Sequence, residues 1–399
     1  MYKPTSALLK KYADVLVKFA LNSGKGIKRG EVVQCLVPDI AKPMLLALHA
    51  SILEAGGHPI LRMLPTGTQK TFFDLASDDQ LTFFPKKYFK AKVAMIDHSV
   101  GIIAEHNLRE LKHVDPKKIM LSSESGKKYR DWMNDKEYSG KFTWTIGLYG
   151  TPQMAREAKL SLSEYWGEII HACFLDKKDP IESWREVSQE QDRVKKGLNE
   201  LPIHQIHMVG AHTDLWLTMG DKRQFVGGSG RNIPSFELFT SPDWRGTNGY
   251  IAFNQPLYRY GNLIENVRLE FARGKVVKAT ATKGEKLLQE MIRRPNADKI
   301  GEYSLTDARF SRIHKFMANT LFDENIGGKY GNTHIAVGMS YKDAYAGDPM
   351  KLPKGEWKRL GFNDSGEHCD IISTENRTVT AILKNGKEKI IYRDGKFLV

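Results

Sequence analysis

The stretch "EVVQCLVPDIAKPMLLALHASILEAGGHPILRML" (31–64) decides the fold class of the first half of the chain. It opens with a short apolar run of strand length. An apolar segment follows, in which Pro43 is typical of a first helical turn and which closes at Gly56-Gly57. Residues 58–64 form the next short apolar run. A strand, a helix and a strand in this order predict an α/β domain with a largely parallel sheet.

The same alternation continues on both sides of this stretch. Apolar residues at helical spacing predict a helix over residues 5–21, and short apolar runs predict strands at 91–97 and 117–123. No Gly-x-Gly-x-x-Gly motif follows the first strand, so we assign no dinucleotide cofactor.

The second half of the chain has a different pattern of apolar and polar residues. After a highly charged helical segment, most apolar segments alternate or are rich in β-formers, and residues 378–392 predict a hairpin that turns at Asn385-Gly386. We therefore predict an α/β domain over residues 1–202 and a β-rich α+β domain over residues 203–399.

Lysine and arginine outnumber aspartate and glutamate by 60 to 47, which gives a formal net charge of +13. The basic residues are scattered, and the densest stretches, at 85–92 and 126–130, are short and interrupted. This pattern is typical of a solvated basic surface and argues against nucleic acid as a partner. A non-catalytic basic binding protein, for instance for RNA, is an alternative, but no nucleic-acid motif supports it.

The cysteines point to a reducing compartment. Cys35, Cys173 and Cys369 are far apart and odd in number, and without a Cys-x-x-Cys pair they indicate neither a disulfide framework nor a zinc finger. The amino-terminal segment carries lysines within its apolar periodicity, unlike a signal peptide, and no apolar run is long enough to span a membrane. We expect a cytoplasmic protein that does not contact a membrane.

The stretch "SGEHCDIIS" (365–373) places His368 and Asp370 two positions apart before a β-branched run. Strand side chains alternate between faces, so both side chains would point to one spot while Cys369 faces away. By itself, the pair is equally explained by a His–Asp hydrogen bond at a strand end.

Further carboxylates of the second half lie among apolar residues, where a charge is costly unless it is paired or bound to a metal. Glu237 is bracketed by two prolines, and Glu302 follows a glycine. Asp323 and Glu324 precede a glycine-rich loop that leads to His334. Taken singly, Glu302 and Glu324 are also explained as salt-bridge partners in a basic chain. Together with the histidines, these residues fit the shell of a two-metal hydrolytic site.

Short catalytic motifs do not account for these residues. The chain lacks His-Glu-x-x-His, the glycine-rich segment at 227–231 lacks the phosphate-loop pattern, and no Gly-x-Ser-x-Gly elbow is present. A serine triad and a phosphate loop are therefore excluded as interpretations.

In these same stretches the chain resembles the M29 family of metallo-aminopeptidases, the aminopeptidase T group. The resemblance runs in order over nearly the whole chain. In the first half it is carried by "YGTPQMAREAKLSLSEY" (149–165) and "LDKKDPIESW" (175–184). In the second half it is carried by "TDL" (213–215), "NIP..E.FTSP" (232–242), "GE" (301–302), "LFDENIGG" (321–328), "HIAVGMSY" (334–341) and "HCDII" (368–372).

The resemblance implies a two-domain cytoplasmic exopeptidase that dimerises, binds two divalent ions per chain (zinc, cobalt or manganese) and acts on peptides with a free amino terminus. It implies that Tyr341 is the active-site tyrosine and that Glu302 or Glu324 is the general base. The implied metal ligands, all in the second domain, are Glu237, Glu302, His334, His368 and Asp370.

The chain departs from the family pattern at two places. Phe236 stands where a glycine is usual before the first ligand, and we predict that it shapes substrate choice. The loop that leads to His334 is longer than usual and would reshape the rim of the pocket. Tyr341 lies seven residues after His334, an odd spacing that on a strand would aim it at the opposite face, so we predict a turn after Ser340.

A second enzymatic reading uses the same residues. A mononuclear Fe(II) ring-cleaving dioxygenase would need only His334, His368 and Asp370. Such a site does not require Glu237 and Glu302, and their presence favours the hydrolytic reading.

Overall fold

The computed structural model describes residues 2–111, 113–259 and 262–399. The chain forms two compact units. The first runs to Trp184 and includes Ser229–Ile233, and the second contains Arg185–Gly228 and Pro234–Val399. The boundary predicted after residue 202 lies further along the chain, beyond the long helix that both units share, and the extents of the two domains stay a prediction.

The first unit alternates helices with four strands among the described residues. A π-helical turn, Leu16–Ala20, and a 3-10 turn, Asp39–Ala41, join neighbouring elements. The strands are β1 (Val32–Pro38), β2 (His58–Leu64), β3 (His98–Ile103) and β4 (Thr143–Leu148). The helices are α1 (Ser6–Val15), α2 (Leu21–Gly24), α3 (Lys42–Glu54), α4 (Thr68–Leu75), α5 (Asp78–Thr82), α6 (Lys86–Met95), α7 (Pro116–Ser125), α8 (Lys127–Tyr138), α9 (Pro152–Glu157), α10 (Leu162–Ala172) and α11 (Pro180–Glu200).

The four strands form one parallel sheet in the order β2-β1-β3-β4. Val33, Cys35 and Val37 of β1 are fully buried, as are the core positions of β3. The predicted parallel α/β architecture is confirmed, and the stretch 31–64 forms β1, α3 and β2 as expected.

Two of the predicted strands are wrong. Residues 91–97 lie mainly in α6, and the strand begins only at His98. Alanine, lysine and methionine are good helix formers, and the β-branched run that pairs in the sheet comes after them. Residues 117–123 lie in α7, where Pro116 occupies the first turn and the carboxylate of Asp115 accepts a hydrogen bond from the N–H of Lys117. This capping signal outweighs the apolar run.

The second unit is rich in strands. The helices of this unit after α11 are α12 (Glu285–Ile292), α13 (Thr320–Asp323) and α14 (Lys354–Arg359), with 3-10 turns at Lys342–Ala344 and Pro349–Lys351. The strands are β5 (Ile203–Gly210), β6 (Thr213–Thr218), β7 (Glu237–Thr240), β8 (Asp243–Ala252), β9 (Leu257–Arg259), β10 (Asn262–Ile264), β11 (Arg268–Ala272), β12 (Lys275–Thr280), β13 (Ile300–Thr306), β14 (Asn332–Gly338), β15 (His368–Ser373), β16 (Arg377–Leu383), β17 (Glu388–Arg393) and β18 (Lys396–Phe397).

Within the described residues these strands form an eight-stranded sheet, a four-stranded sheet and a two-stranded ribbon. The larger sheet has the order β12-β11-β8-β6-β5-β16-β17-β18 and includes the predicted hairpin, in which Gly386 has the positive φ that its turn requires. The smaller sheet has the order β15-β14-β13-β7 and is antiparallel throughout. The prediction of a β-rich second half is confirmed.

The two central strands of the smaller sheet are buried along their whole length. On one face, apolar side chains such as Tyr303, Leu305 and Ile335 form core. On the other face, polar side chains such as Glu302, Ser304 and His334 alternate with them. A strand that is buried on both faces normally consists of a continuous run of apolar residues. The buried polar side chains of this sheet therefore need hydrogen-bond or ionic partners within the fold.

None of the helices in the described part of the chain combines the length and the apolar character needed to cross a bilayer. The three cysteines are buried thiols. Burial raises the pKa of Cys35, Cys173 and Cys369 to about 12, so the thiols stay protonated and behave as small apolar side chains.

Candidate metal centre

The polar face of the smaller sheet carries all five of the ligands implied by the resemblance. The antiparallel register sets Glu237 beside Thr306, Ser304 beside His334, Ala336 beside Asp370 and Gly338 beside His368. Directly paired residues, and residues two apart on one strand, point to the same face of a sheet. Four strands therefore deliver three carboxylates and two imidazoles to one surface, and Cys369 points to the other side as predicted.

Glu302 follows an irregularity in β13. The pairing of β13 with β14 shifts register between Ile300 and Glu302 and leaves Gly301 as the extra residue. A Cβ atom at Gly301 would lie 2.2 Å from the carbonyl oxygen of Met339. Only glycine permits this close approach of the two backbones, which is the physical reason for the glycine before Glu302.

His334 is the centre of the cluster. Its Nε2 atom lies 3.0 Å from Oε1 of Glu302 and 3.2 Å from Oε2 of Glu237. The donor atoms of these three buried residues all lie within 4.8 Å of one another, so one cation can contact all three. Ser304 donates a hydrogen bond of 2.7 Å from its hydroxyl to Oε2 of Glu237 and so orients that carboxylate.

His368 and Asp370 form a second group beside the first. Nε2 of His368 lies 3.3 Å from Oδ1 of Asp370 and 3.8 Å from Oε2 of Glu302. Nδ1 of His368 lies 2.9 Å from the carbonyl oxygen of Met339, which accepts a hydrogen bond from it. This hydrogen bond fixes the ring and leaves Nε2 as the ligand atom.

Glu302 therefore lies between the two histidines. Its Oε1 atom faces His334 and its Oε2 atom faces His368. Burial raises the pKa of Glu302 to about 7, against the effect of its hydrogen bond to His334. Burial alone would lower the pKa values of the histidines, but the nearby carboxylates raise the pKa of His368 to about 9 and that of His334 well above its usual range.

Glu324 adds a fourth carboxyl group to the cluster. It follows α13 and is buried. Burial, together with the charges of Glu237 and Asp370, raises its pKa well above the usual range. Its neighbour Asp323 has a different task, because its carboxylate accepts hydrogen bonds from the N–H groups of Met317 and Asn319 and holds the loop before α13.

Tyr341 lies at the rim of the cluster. Its ring centroid lies 4.7 Å from that of His368 and 5.8 Å from that of Phe239. The predicted turn occurs earlier than expected, since β14 ends at Gly338, which has φ 109°. The N–H of Tyr341 donates a hydrogen bond of 2.9 Å to the hydroxyl of Ser241, which holds the chain after the turn.

Phe236 is fully buried, so its ring lies within the fold rather than on an open surface. Its N–H donates a hydrogen bond of 2.7 Å to Oδ1 of Asn325, the residue after Glu324. The effect of Phe236 on substrate choice stays a prediction, and any such effect would act from the packed interior, since the ring is fully buried.

Several supporting residues were not foreseen from the sequence. Ser304 could have been found from the alternation of β13, since it lies two residues after Glu302 and shares its face. Glu367 is buried, forms an ion pair with Arg259 and lies 2.6 Å from Nη1 of Arg294. Arg259 also donates a hydrogen bond to the carbonyl oxygen of His368. No local signal marks this clamp, because its members are far apart along the chain.

The chemistry of the donor set fits divalent cations. Buried carboxylates need a compensating positive charge, and the ion-pair partners of Glu237 and Glu302 within the cluster are histidines, not lysines or arginines. Imidazole nitrogen and carboxylate oxygen are the ligands that zinc and related ions prefer. With neutral imidazoles and four ionised carboxylates, the cluster would carry the charge that two divalent ions neutralise.

Comparisons with known proteins agree with this chemistry. The chain is 26% identical over 417 aligned positions to aminopeptidase AmpS of Bacillus subtilis, and 98% of each chain is covered. It is 29% identical over 275 positions to aminopeptidase T of Thermus aquaticus, covering 64% of this chain and 65% of the relative. The solved structure of wild-type AmpT from Thermus thermophilus matches with a TM-score of 0.82 at 22% identity, over 98% of this chain and 99% of that one.

The structural match shows that the fold is shared, which confirms the predicted fold class. The family model described as thermophilic metalloprotease (M29) matches residues 5–397, nearly the whole chain and every candidate ligand. The resemblance noted from the motifs is therefore confirmed, and the chain belongs to the M29 family of thermophilic metalloproteases.

Proposed function

We propose that this protein is a metal-dependent aminopeptidase that removes the amino-terminal residue of peptides at a two-metal centre. The observation that carries the two-metal reading is the position of Glu302, which directs one carboxylate oxygen to each of two histidines. The relatives AmpS and aminopeptidase T bear the name of this activity, and the family is one of metal-dependent proteases.

In this proposal each residue of the cluster has one task. Glu237 and His334 would hold one ion, His368 and Asp370 would hold the other, and Glu302, which faces both histidines, would serve as a ligand to both. When bound, the ions would polarise the scissile carbonyl and lower the pKa of a water molecule towards neutrality. A shared bridging carboxylate is the simplest use of a group that faces both histidines, and it leaves Glu324 free of a ligand role.

Glu324 is then the general base. A buried carboxyl whose pKa is raised is suited to take a proton from water and to return it to the leaving amine. The hydroxyl of Tyr341 donates a hydrogen bond to the oxygen that becomes negative in the tetrahedral intermediate. Burial and the neighbouring carboxylates raise the pKa of Tyr341, so the phenol stays protonated and can serve as a donor.

The experiment that tests the proposal measures metal content and activity together. Purified protein, reconstituted with zinc, cobalt or manganese, is analysed for bound metal and assayed on a panel of chromogenic aminoacyl substrates. We expect close to two ions per chain and release of the amino-terminal residue. Glu302→Gln should lose both, whereas Glu270→Gln, a half-buried position on β11 outside the cluster, should lose neither.

Two outcomes would overturn the proposal. One iron per chain together with cleavage of aromatic rings would favour the dioxygenase reading. Full peptidase activity with a single bound ion would support the assignment as an aminopeptidase but contradict the two-metal mechanism. Dimerisation and a cytoplasmic setting, which the family resemblance implies, belong to the same proposal and are checked by sedimentation and by cell fractionation.

A further inference from the structure

A basic cavity lies outside the metal centre, on the second unit. It has a volume of about 440 Å³ and is formed between the start of β12 and the segment that joins α12 to β13. Its lining includes four cationic side chains and one carboxylate among the described residues. These are Lys275, Arg293, Arg294, Lys299 and Asp298.

The positive charge of this cavity exceeds what its carboxylates neutralise. Nζ of Lys275 lies 4.0 Å from Oδ2 of Asp298, and Nη1 of Arg294 lies 2.6 Å from Oε2 of Glu367, so each of these two cations has an anionic partner. Arg293 and Lys299 add two further charges, and the ammonium group of Lys299 donates a hydrogen bond of 2.6 Å to Oδ1 of Asn296 and lies 4.3 Å from the centroid of the Trp244 ring. Burial and the charges of Lys275 and Lys358 lower the pKa of Lys299, against the effect of Asp298. Four cations against the carboxylates of Asp298 and Glu367 leave a surplus of two positive charges, and such a surplus in a concave site attracts an anion.

We propose that this cavity binds a small divalent oxyanion, the phosphate group of a phosphomonoester. The surplus of two positive charges matches a dianion, and the four cations that line the cavity combine lysine ammonium groups with arginine guanidinium groups, which suit the oxygens of phosphate. The volume is larger than phosphate alone needs and leaves room for the organic part of the ester.

The wall of the cavity is rigid. The side-chain amide of Asn296 donates a hydrogen bond of 2.8 Å to the backbone carbonyl oxygen of Asp364. The side-chain amide of Asn363 donates a hydrogen bond of 2.8 Å to the backbone carbonyl oxygen of Asn296. The backbone N–H of Gly338 donates a hydrogen bond of 2.7 Å to the backbone carbonyl oxygen of Lys299. Hydrogen bonds therefore fix the backbone that carries the cations, which lowers the entropy lost on binding an anion.

The test uses inorganic phosphate as the probe, added to the full-length, metal-loaded protein at constant ionic strength and followed by calorimetry. The cavity variant is Lys275→Ala/Arg293→Ala. The control variant is Lys278→Ala/Lys283→Ala, which removes the same charge from side chains that pair with Glu270 and Glu265 and do not line the cavity. All four positions are exposed, so both variants should fold.

We expect one phosphate per chain, an affinity at least about tenfold weaker in the cavity variant, and at most about a twofold loss in the control, since a charge-assisted hydrogen bond contributes that much or more. Phosphate should also raise the melting temperature of the control more than that of the cavity variant. If phosphate bound equally weakly to both variants, the binding would reflect the net charge of the protein and not this cavity. If the cavity variant bound phosphate as tightly as the original protein, the phosphate site would have to be assigned to the metal centre. Either result, or no saturable binding, overturns the proposal.

Discussion

The ring of Tyr341 lies 4.7 Å from the ring of His368, centroid to centroid, with the two planes tilted by 58°. The residues come from different segments, one after the end of β14 and the other at the start of β15. The contact places a phenol at the edge of a buried group of carboxylates and imidazoles, where it has access to whatever the cluster binds.

Tyr341→Phe tests the role of this phenol. The change keeps the ring and its contacts and removes only the hydroxyl, so we expect kcat to fall about a hundred- to thousandfold, as loss of one oxyanion donor typically costs about 2.7–4 kcal/mol. KM, metal content and melting temperature should stay close to their original values. Near-normal kcat would show that Tyr341 is a packing residue, and loss of an ion would make it a ligand.

Ser241 is expected to position Tyr341. Its buried hydroxyl accepts the N–H of Tyr341 at 2.9 Å, and removing a buried acceptor typically costs about 1–3 kcal/mol. Ser241→Ala should lower kcat with little change in KM, and Ser241→Thr should restore most of it because the hydroxyl returns. An alanine variant with normal kcat, or a threonine variant as impaired as the alanine, would contradict a positioning role.

Metal binding should release protons. Without an ion, the raised pKa values of His334 and His368 keep both imidazoles protonated at pH 7. Ligands must lose their protons to bind a cation, so we expect about two protons released per chain, and an affinity that rises from pH 6 to pH 8 as competition by protons declines. Calorimetry in two buffers of different ionisation enthalpy measures this release. Binding without proton release would be incompatible with protonated histidines.

The proposed enzyme should act only on free amino termini. An α-amine can bind to a metal ion or a carboxylate of the cluster, and acetylation removes both interactions. A peptide with a free amino terminus should be shortened one residue at a time, while its acetylated counterpart should stay intact under the same conditions, as followed by mass spectrometry. Cleavage at an internal bond of the acetylated peptide would point to an endopeptidase.

Phe236→Gly should change the relative rates among amino-terminal residues while both ions stay bound. The ring is fully buried, so its removal should also lower the free energy of unfolding by about 3–5 kcal/mol, the cost typical of deleting a buried aromatic ring. Phe236→Leu serves as the milder companion, because it keeps an apolar side chain. If both variants lose stability but keep the original substrate profile, Phe236 only packs.

The limits of local sequence are clear in the first unit. Residues 91–97 have the length and apolar character of a strand, yet most of them form the end of α6. The strand that pairs in the sheet is formed by the residues that follow, His98–Ile103. Apolar runs of this length are compatible with either element, and the choice depends on what the rest of the sheet can bury. At 117–123 the signal was local and was missed, since Asp115 and Pro116 together mark a helix start.

Strand alternation in the sequence by itself determined that His368 and Asp370 share a face, and the resemblance to the family named the other members of the cluster, because the motifs around Glu302 and His334 are local properties of the chain. Only the tertiary structure decided that Glu302 faces two histidines, since that depends on the register of three strands and on the bulge at Gly301. The clamp of Glu367 by Arg259 and the hydrogen bond from Tyr341 to Ser241 likewise join residues about a hundred positions apart. Contacts of this separation form only when the whole sheet assembles, so no local pattern encodes them.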